Sequence, residues 1–199
     1  MRLSDFDGKK GLLVLFVCRH CPYVRHVEGG IAQLARDYAG ADLGIVAIGA
    51  NDPAAYPEDA PESLAEQARL AGFTFPYLFD ETQEVAKAYT AACTPDPFLF
   101  DVERRLVERG QLDRSHPGNH VPVTWEDIRR AIDAVLSDRP ILQDCRPWAA
   151  ASRGVPATSR RTSGRPAEAR PRGSCMVEGG CGPVGSSSSS ARPATSADG

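Results

Sequence analysis

From Pro140 to the end of its 199 residues this sequence has no phenylalanine, no tyrosine and no lysine. Ile141, Leu142 and Trp148 are its few bulky apolar side chains there, set in Ser, Gly, Pro, Ala and Arg without any period. Such a stretch cannot bury enough apolar surface to offset chain entropy, so residues 144–199 are expected to be a low-complexity, disordered tail. The sequence also lacks an apolar run long enough to serve as a membrane span. No secretory leader is visible, because the first apolar run, Leu12–Val17, is short and lies too far in. The expected compartment is therefore the cytoplasm, with no membrane partner. Paired cysteines there are more often catalytic or metal-binding than structural.

What the sequence does contain is concentrated ahead of the tail. Hydrophobic residues make up 42% of the chain, and 23 Lys+Arg stand against 26 Asp+Glu for a net charge of −3. The charge is uneven: after Pro140, eight arginines face only four acids (Asp144, Glu168, Glu178, Asp198), whereas the preceding part is acidic and holds every Phe and Tyr. One folded domain is expected over residues 1–143. The basic tail raises nucleic-acid binding, but without aromatics or a folded scaffold no nucleic-acid partner is expected.

Within that domain, "GLLVLFV" (11–17) is a continuous apolar run suited to a strand buried on both faces. The period then changes: Val24, Val27, Ile31, Leu34 and Tyr38 recur at helical steps. Gly29 and Gly30 interrupt this helix, and nothing in the sequence explains them. "DLGIVAIGAND" reads as a second buried strand, Pro61–Ala71 as a helix closed by Gly72, "FTFPYLFD" as a short strand and "ETQEVAKAYTA" as a helix. "PFLFD" and "RRLVERGQL" read as a hairpin, and "TWEDIRRAIDAVLS" as a last helix capped by Thr124. The order predicts an α/β fold with a mixed central sheet and helices on both faces.

Cys18 and Cys21, separated by Arg19 and His20, fall where the first strand turns into the first helix. A helix N-terminus favours thiolate over thiol, and Arg19 and His20 add charge that modulates the pair. Cys18, ahead of the helix, is expected to face solvent and attack; Cys21, one turn inside, is expected to be shielded and to resolve the mixed disulfide. A zinc site would need two further ligands. His20 and His26 lie near, yet no second paired set exists in the folded part, so no metal and no cofactor are expected. Pro95 follows a helix and precedes a strand. It fits either a cis-proline loop that pairs with an extended substrate or an ordinary trans proline on an edge strand. Cys93, two residues earlier, is a candidate third thiol, with a small buried hydrophobe the preferred reading.

Five motifs in order, "CRHCPYV", "YPEDAPESL", "FPYLFDETQEVAKAY", "CTPDPFLFD" and "RGQLD", resemble the thioredoxin-like superfamily, in the redoxin branch grouped with alkyl hydroperoxide reductases and thiol-specific antioxidants (AhpC/TSA). The resemblance covers residues 3 to about 140. It implies a thioredoxin-like fold, a redox-active Cys18–Cys21 pair and a cis Pro95 that binds substrate together with Thr94. Three departures stand out. Leu15 occupies the place, three residues before the first cysteine, where peroxiredoxins carry Thr or Ser. Leu12–Val17 contain no buried carboxylate of the thioredoxin kind, so the sequence does not identify the proton acceptor for Cys21. The chain opens at "MRLSDF" where relatives have another strand, which implies a late start or an absent edge strand.

The expected function is thiol–disulfide oxidoreductase, acting on a disulfide-containing protein or small molecule and recharged by a thiol reductant. The alternatives are a thiol peroxidase, in which Cys18 forms a sulfenic acid that Cys21 resolves, and a metal-binding redox chaperone. Relatives of this branch tend to end in a motif like Pro-Ser-Met-Gly-Cys-Ser-Ile-Lys. "CRPWAAASR" (145–153), read from the third base of the Cys145 codon, forces that Gly and permits the rest. The tail is accordingly expected to be a frameshift product, with Cys175 and Cys181 functionless.

Overall fold

A computed structural model describes residues 1–110 and 112–140. The tail expected over 144–199, with Cys145, Cys175 and Cys181, lies outside the described residues.

The chain runs β1 (Gly11–Phe16), α1 (Pro22–Asp37), β2 (Leu43–Gly49), α2 (Pro61–Ala71), β3 (Tyr77–Phe79), α3 (Glu84–Ala88), β4 (Asp96–Phe100), β5 (Leu106–Arg109) and α4 (Glu126–Leu136). This is the element order read from the sequence. The strands form one sheet in the order β3-β2-β1-β4-β5. β1 pairs parallel with β2 and antiparallel with β4, so β1 is central and the sheet is mixed.

Every residue of β1 and β2 is buried, as a strand covered on both faces requires. Side-chain alternation sends β1 in two directions. Leu13 and Leu15 join Val24, Ile31 and Leu34 of α1 and Ile128 and Ile132 of α4. Leu12, Val14 and Phe16 join Val46, Ile48, Phe98 and Ala86 of α3 on the other face. On that second face Tyr89 meets Phe16 and Phe98 edge-on, with ring centroids 5.4 and 5.3 Å apart.

Gly30 now has a reason. A Cβ there would lie 2.3 Å from Trp125 Nε1 and 2.7 Å from its Cδ1, so α1 must present bare backbone for α4 to dock. Gly29 faces open space. α2 ends as read from the sequence, with Gly72 in the left-handed conformation at φ 72°.

Two local readings need correction. Thr124 is not the N-cap residue of α4, although its Oγ1 accepts the Glu126 N–H at 3.4 Å. Trp125 occupies the N-cap at φ 59°, and the buried carboxylate of Asp113 accepts the N–H groups of Thr124 and Trp125, each at 2.7 Å. α3 covers only Glu84–Ala88, because Gln83 takes a left-handed conformation at φ 59° and starts the helix late. Asp80, buried ahead of it, accepts the Ala86 N–H at 2.8 Å.

Candidate active site

Cys18 and Cys21 span the turn between β1 and α1. The sheet pairing continues past β1, with Val17 N–H donating to Ile48 O at 3.0 Å, and the helix starts at Pro22 with Cys21 as N-cap. Pro22 suits the first helical position, where no N–H is needed. Cys21 therefore stands at the helix threshold rather than one turn inside, and Cys18 lies three residues further out.

Neither cysteine faces solvent: Cys18 is 1% exposed and Cys21 0%. The expected exposure of Cys18 is thus overturned, and the loop before β4 is the cause. The β1–β4 register pairs Phe16 with Asp96, which brings the residues just before Asp96 beside those just after Phe16. Thr94 Oγ1 lies 3.0 Å from Cys18 Sγ, and the Cys21 thiol donates to Thr94 O at 3.4 Å. The Thr94–Pro95 peptide is cis. Cys93 is partly exposed and lies in neither core cluster, so the buried-hydrophobe reading of it fails. Among the described residues, Cys18, Cys21 and Cys93 are not joined by a disulfide.

The two residues between the cysteines converge on Asp59, which is 1% exposed and sits in a short 3-10 turn, Pro57–Asp59. Its Oδ1 accepts Arg19 N–H at 2.7 Å and His20 N–H at 3.2 Å. Its Oδ2 meets His20 Nδ1 at 2.5 Å and accepts Asn51 Nδ2–H at 2.8 Å. The His20 ring also lies flat on Tyr56, with centroids 4.3 Å apart and planes 8° from parallel. Arg19 turns its guanidinium to α2, where it donates to Ser63 O at 3.0 Å and Glu66 Oε2 at 2.7 Å. Its charge is paired there, while its backbone serves the turn.

Behind the cysteines lies Tyr77 of β3. Burial pushes its phenol far above the ordinary tyrosine range, and the nearby charges of Cys18, Asp59 and Glu28 push the same way. Its hydroxyl donates to Gln67 Oε1 at 3.4 Å, and Gln67 Nε2 donates to Glu28 at 3.2 Å.

Asp59, Asn51 and Tyr56 are the site residues that sequence reasoning missed. Asp59 and Tyr56 lie in "YPEDAPESL" and Asn51 in the polar turn after β2, so the signal was position within a motif rather than residue type. Asp59 also adds a metal-type donor that the ligand count had not included: Cys18 Sγ, a His20 ring nitrogen and an Asp59 oxygen lie within 4.8 Å of one another. Four nitrogen partners already surround both oxygens of Asp59, however, so the carboxylate holds the turn and the imidazole rather than an open ligand position. His26, the other histidine considered as a ligand, is engaged with Ser115 Oγ at 2.5 Å.

A mixed sheet with this strand order, helices on both faces and a cis proline beside the turn after its central strand defines a thioredoxin-like protein. The AhpC/TSA family profile matches residues 1–109, and the chain belongs to that family of thioredoxin-like redoxins. Two solved structures are similar at high identity. An uncharacterized conserved protein of Geobacillus kaustophilus is 49% identical over 72% of this chain and 76% of its own, with a TM-score of 0.71. A hypothetical protein of Sinorhizobium meliloti is 47% identical over 71% and 77%, with a TM-score of 0.70. A thioredoxin-like protein in its oxidized form is 17% identical over 70% and 86%, with a TM-score of 0.56, and shows the fold alone. A search of curated proteins finds no match. Family and fold support a thioredoxin-like redox function and an oxidoreductase activity. Among the described residues no helix is long and apolar enough to cross a membrane.

Proposed function

We propose that the chain is a thiol–disulfide oxidoreductase in which Cys18 attacks and Cys21 resolves. The observation that carries this reading is the shared contact with Thr94: its hydroxyl touches Cys18 and its carbonyl takes the Cys21 thiol, beside cis Pro95. Two thiols three residues apart on one turn, both engaged by one loop residue, are placed to exchange a bond between themselves and a third sulfur. The loop of Thr94 and Pro95 is the substrate-facing backbone in this reading. The substrate is a disulfide in a protein or small molecule, and a thiol reductant recharges the pair. Arg19 and His20 tune the turn, Arg19 through its backbone and its pairing with Glu66, His20 through its ring. Because both sulfurs are covered, the first contact of an incoming disulfide is with the loop, and Thr94 must shift for sulfur to meet sulfur.

The test is reduction of insulin by the full chain. Cys18→Ser abolishes turnover and traps nothing. Cys21→Ser stops turnover but accumulates a mixed disulfide on Cys18. Full activity in Cys18→Ser would mean the site is elsewhere.

A second reading, thiol peroxidase, draws on the same Thr94 hydroxyl. Leu15 is buried and offers Cys18 no hydroxyl from β1, yet Thr94 supplies one at 3.0 Å from the other side. Peroxide consumption by the wild type that is lost in Cys18→Ser, with no reduction of insulin, would favour this reading over the first.

A further inference from the structure

We propose that Asp59 and His20 act as an acid–base pair for the proton of thiol–disulfide exchange, Asp59 as a positioning residue and His20 as the proton carrier; this rests on the reading of Cys18 as the attacking thiol.

The geometry assigns the roles. Both oxygens of Asp59 are filled by four nitrogen partners, so the carboxylate acts as acceptor only. His20 Nδ1 must then be the nitrogen that bears the proton facing Asp59. That leaves Nε2, which is buried and has no hydrogen-bond partner. Buried side-chain nitrogens are nearly always hydrogen-bonded, so an unpartnered one on a ring clamped by Asp59 and stacked on Tyr56 marks a place kept for a transient proton. Cys18 Sγ, one ring nitrogen of His20 and an Asp59 oxygen lie within 4.8 Å of one another, and the Cys18 thiol, engaged with Thr94 at 3.0 Å, reaches Nε2 only once Thr94 has shifted. β1 contributes no carboxylate beneath the cysteines, and among the described residues this is the histidine–carboxylate pair beside them.

The step balances as follows. Once Thr94 has shifted off Cys18, the Cys18 thiol gives its proton to His20 Nε2. Its sulfur attacks one sulfur of the substrate disulfide, the Cys18–substrate bond forms, and the substrate S–S bond breaks. The departing thiolate takes the proton from Nε2 and leaves as a thiol. Cys21 then attacks Cys18 Sγ, releases the second substrate thiol with the Cys21 proton and closes the Cys18–Cys21 disulfide. Two protein thiols are oxidised and one substrate disulfide is reduced. The charged and titratable groups around the imidazole are Cys18, Arg19 and Cys21 of its own turn, Tyr56 and Asp59 of the loop after β2, and Tyr77 of β3, which interacts with both Cys18 and Asp59. The Arg19 charge is paired with Glu66.

The experiment measures the rate of Cys18 with a neutral small-molecule disulfide against pH, in wild type, Asp59→Asn, His20→Gln and the double variant, with melting temperatures alongside. Asp59→Asn turns an acceptor into a donor at Nδ1 and moves the ring proton to Nε2. The expected loss is about 10²-fold at neutral pH, the low end for general acid–base catalysis. The pH–rate profile changes shape, and the double variant is no slower than His20→Gln alone. A purely structural Asp59 would instead lower the melting temperature, leave the profile shape intact and give additive losses, which overturns the proposal. Should Asp59→Asn fail to fold, His20→Gln decides: a wild-type rate and profile refutes the pair. Activity lost in Cys18→Ser but unchanged in His20→Gln rejects the acid–base pair alone. Activity retained in Cys18→Ser rejects the underlying reading.

Discussion

Thr94→Val replaces one hydroxyl by a methyl of similar volume at the atom 3.0 Å from Cys18 Sγ. The Thr94 carbonyl that receives the Cys21 thiol is untouched, since it belongs to the backbone. The substitution therefore removes one interaction from one sulfur. A hydrogen bond to a neutral partner contributes about 0.5–1.5 kcal/mol and one to a charged partner about 1.5–3 kcal/mol. In the disulfide the Cys18 sulfur is neutral and a poor acceptor, so the hydroxyl favours the reduced pair by about 1–2 kcal/mol. Because a two-electron couple moves about 30 mV per 1.4 kcal/mol, the Cys18–Cys21 potential is expected to become more negative by about 20–40 mV. The sign follows from the state that loses its donor: the reduced form is destabilised and the disulfide gains. Equilibration with glutathione buffers, followed by alkylation and mass analysis of the trapped thiols, reads the potential. An unchanged potential, or a shift to more positive values, would show that the hydroxyl contact does not distinguish the two redox states.

Three further outcomes follow from packing and charge. Gly29→Ala is expected to stabilise the chain by up to ~1 kcal/mol through helix propensity, having nothing within 4 Å of its Cβ. Gly30→Ala gains the same propensity but sets a methyl 2.3 Å from Trp125 Nε1, and overpacking against a ring that is 1% exposed costs about 1–3 kcal/mol. Urea midpoints on either side of wild type confirm the pair; equal midpoints refute the docking argument. Asp113→Ala strips the acceptor from the N–H groups of Ser115, Thr124 and Trp125, each at 2.7 Å, and is expected to cost about 2–4 kcal/mol, read as a lowered melting temperature. Tyr38, whose hydroxyl donates to Asp133 at 2.6 Å, is pushed up to about 12 by partial burial first and by Asp133 second. A raised folded-state value means stability is present below the ordinary tyrosine value of 10.0 and is lost as pH rises through about 12; Tyr38→Phe should flatten that alkaline loss in urea titrations.

The elements were legible because burial writes itself into periodicity. β1 is apolar at every position and proves buried at every position. The stripe Val24, Val27, Ile31, Leu34 is the buried face of α1. Gly72 ends α2 by the conformation glycine favours. What failed were contacts that close over long sequence separations. Asp113 is in no way marked as the cap of α4, because a capping acid eleven residues upstream leaves no local pattern. Gly30 is explained only by Trp125, which meets it from another helix. The same holds at the site. "CRHC" gave the two thiols, but the covering of Cys18 depends on the β1–β4 register that delivers Thr94, seventy-six residues away.

β1 is buried on both faces by aliphatic and aromatic side chains, so a carboxylate cannot reach the cysteines from the strand beneath them without displacing core. The polar support arrives instead from the loop after β2, and it binds the backbone of the turn itself at Arg19 and His20 as well as the imidazole. The loop is in turn tied to the helices on either side: Arg19 bridges to Ser63 and Glu66 of α2, and Arg25 of α1 pairs with Glu58 at 3.0 Å. The turn between the cysteines is thus gripped from both of its ends, by Thr94 at the sulfurs and by Asp59 at the peptide groups between them. In the proposed exchange the turn stays fixed at Asp59, which meets the Arg19 and His20 N–H groups and the His20 ring, while Thr94 is the residue that lies against the sulfurs themselves. In that reading a shift of the Thr94–Pro95 loop uncovers the sulfurs, and the Asp59 contacts keep His20 beside Cys18.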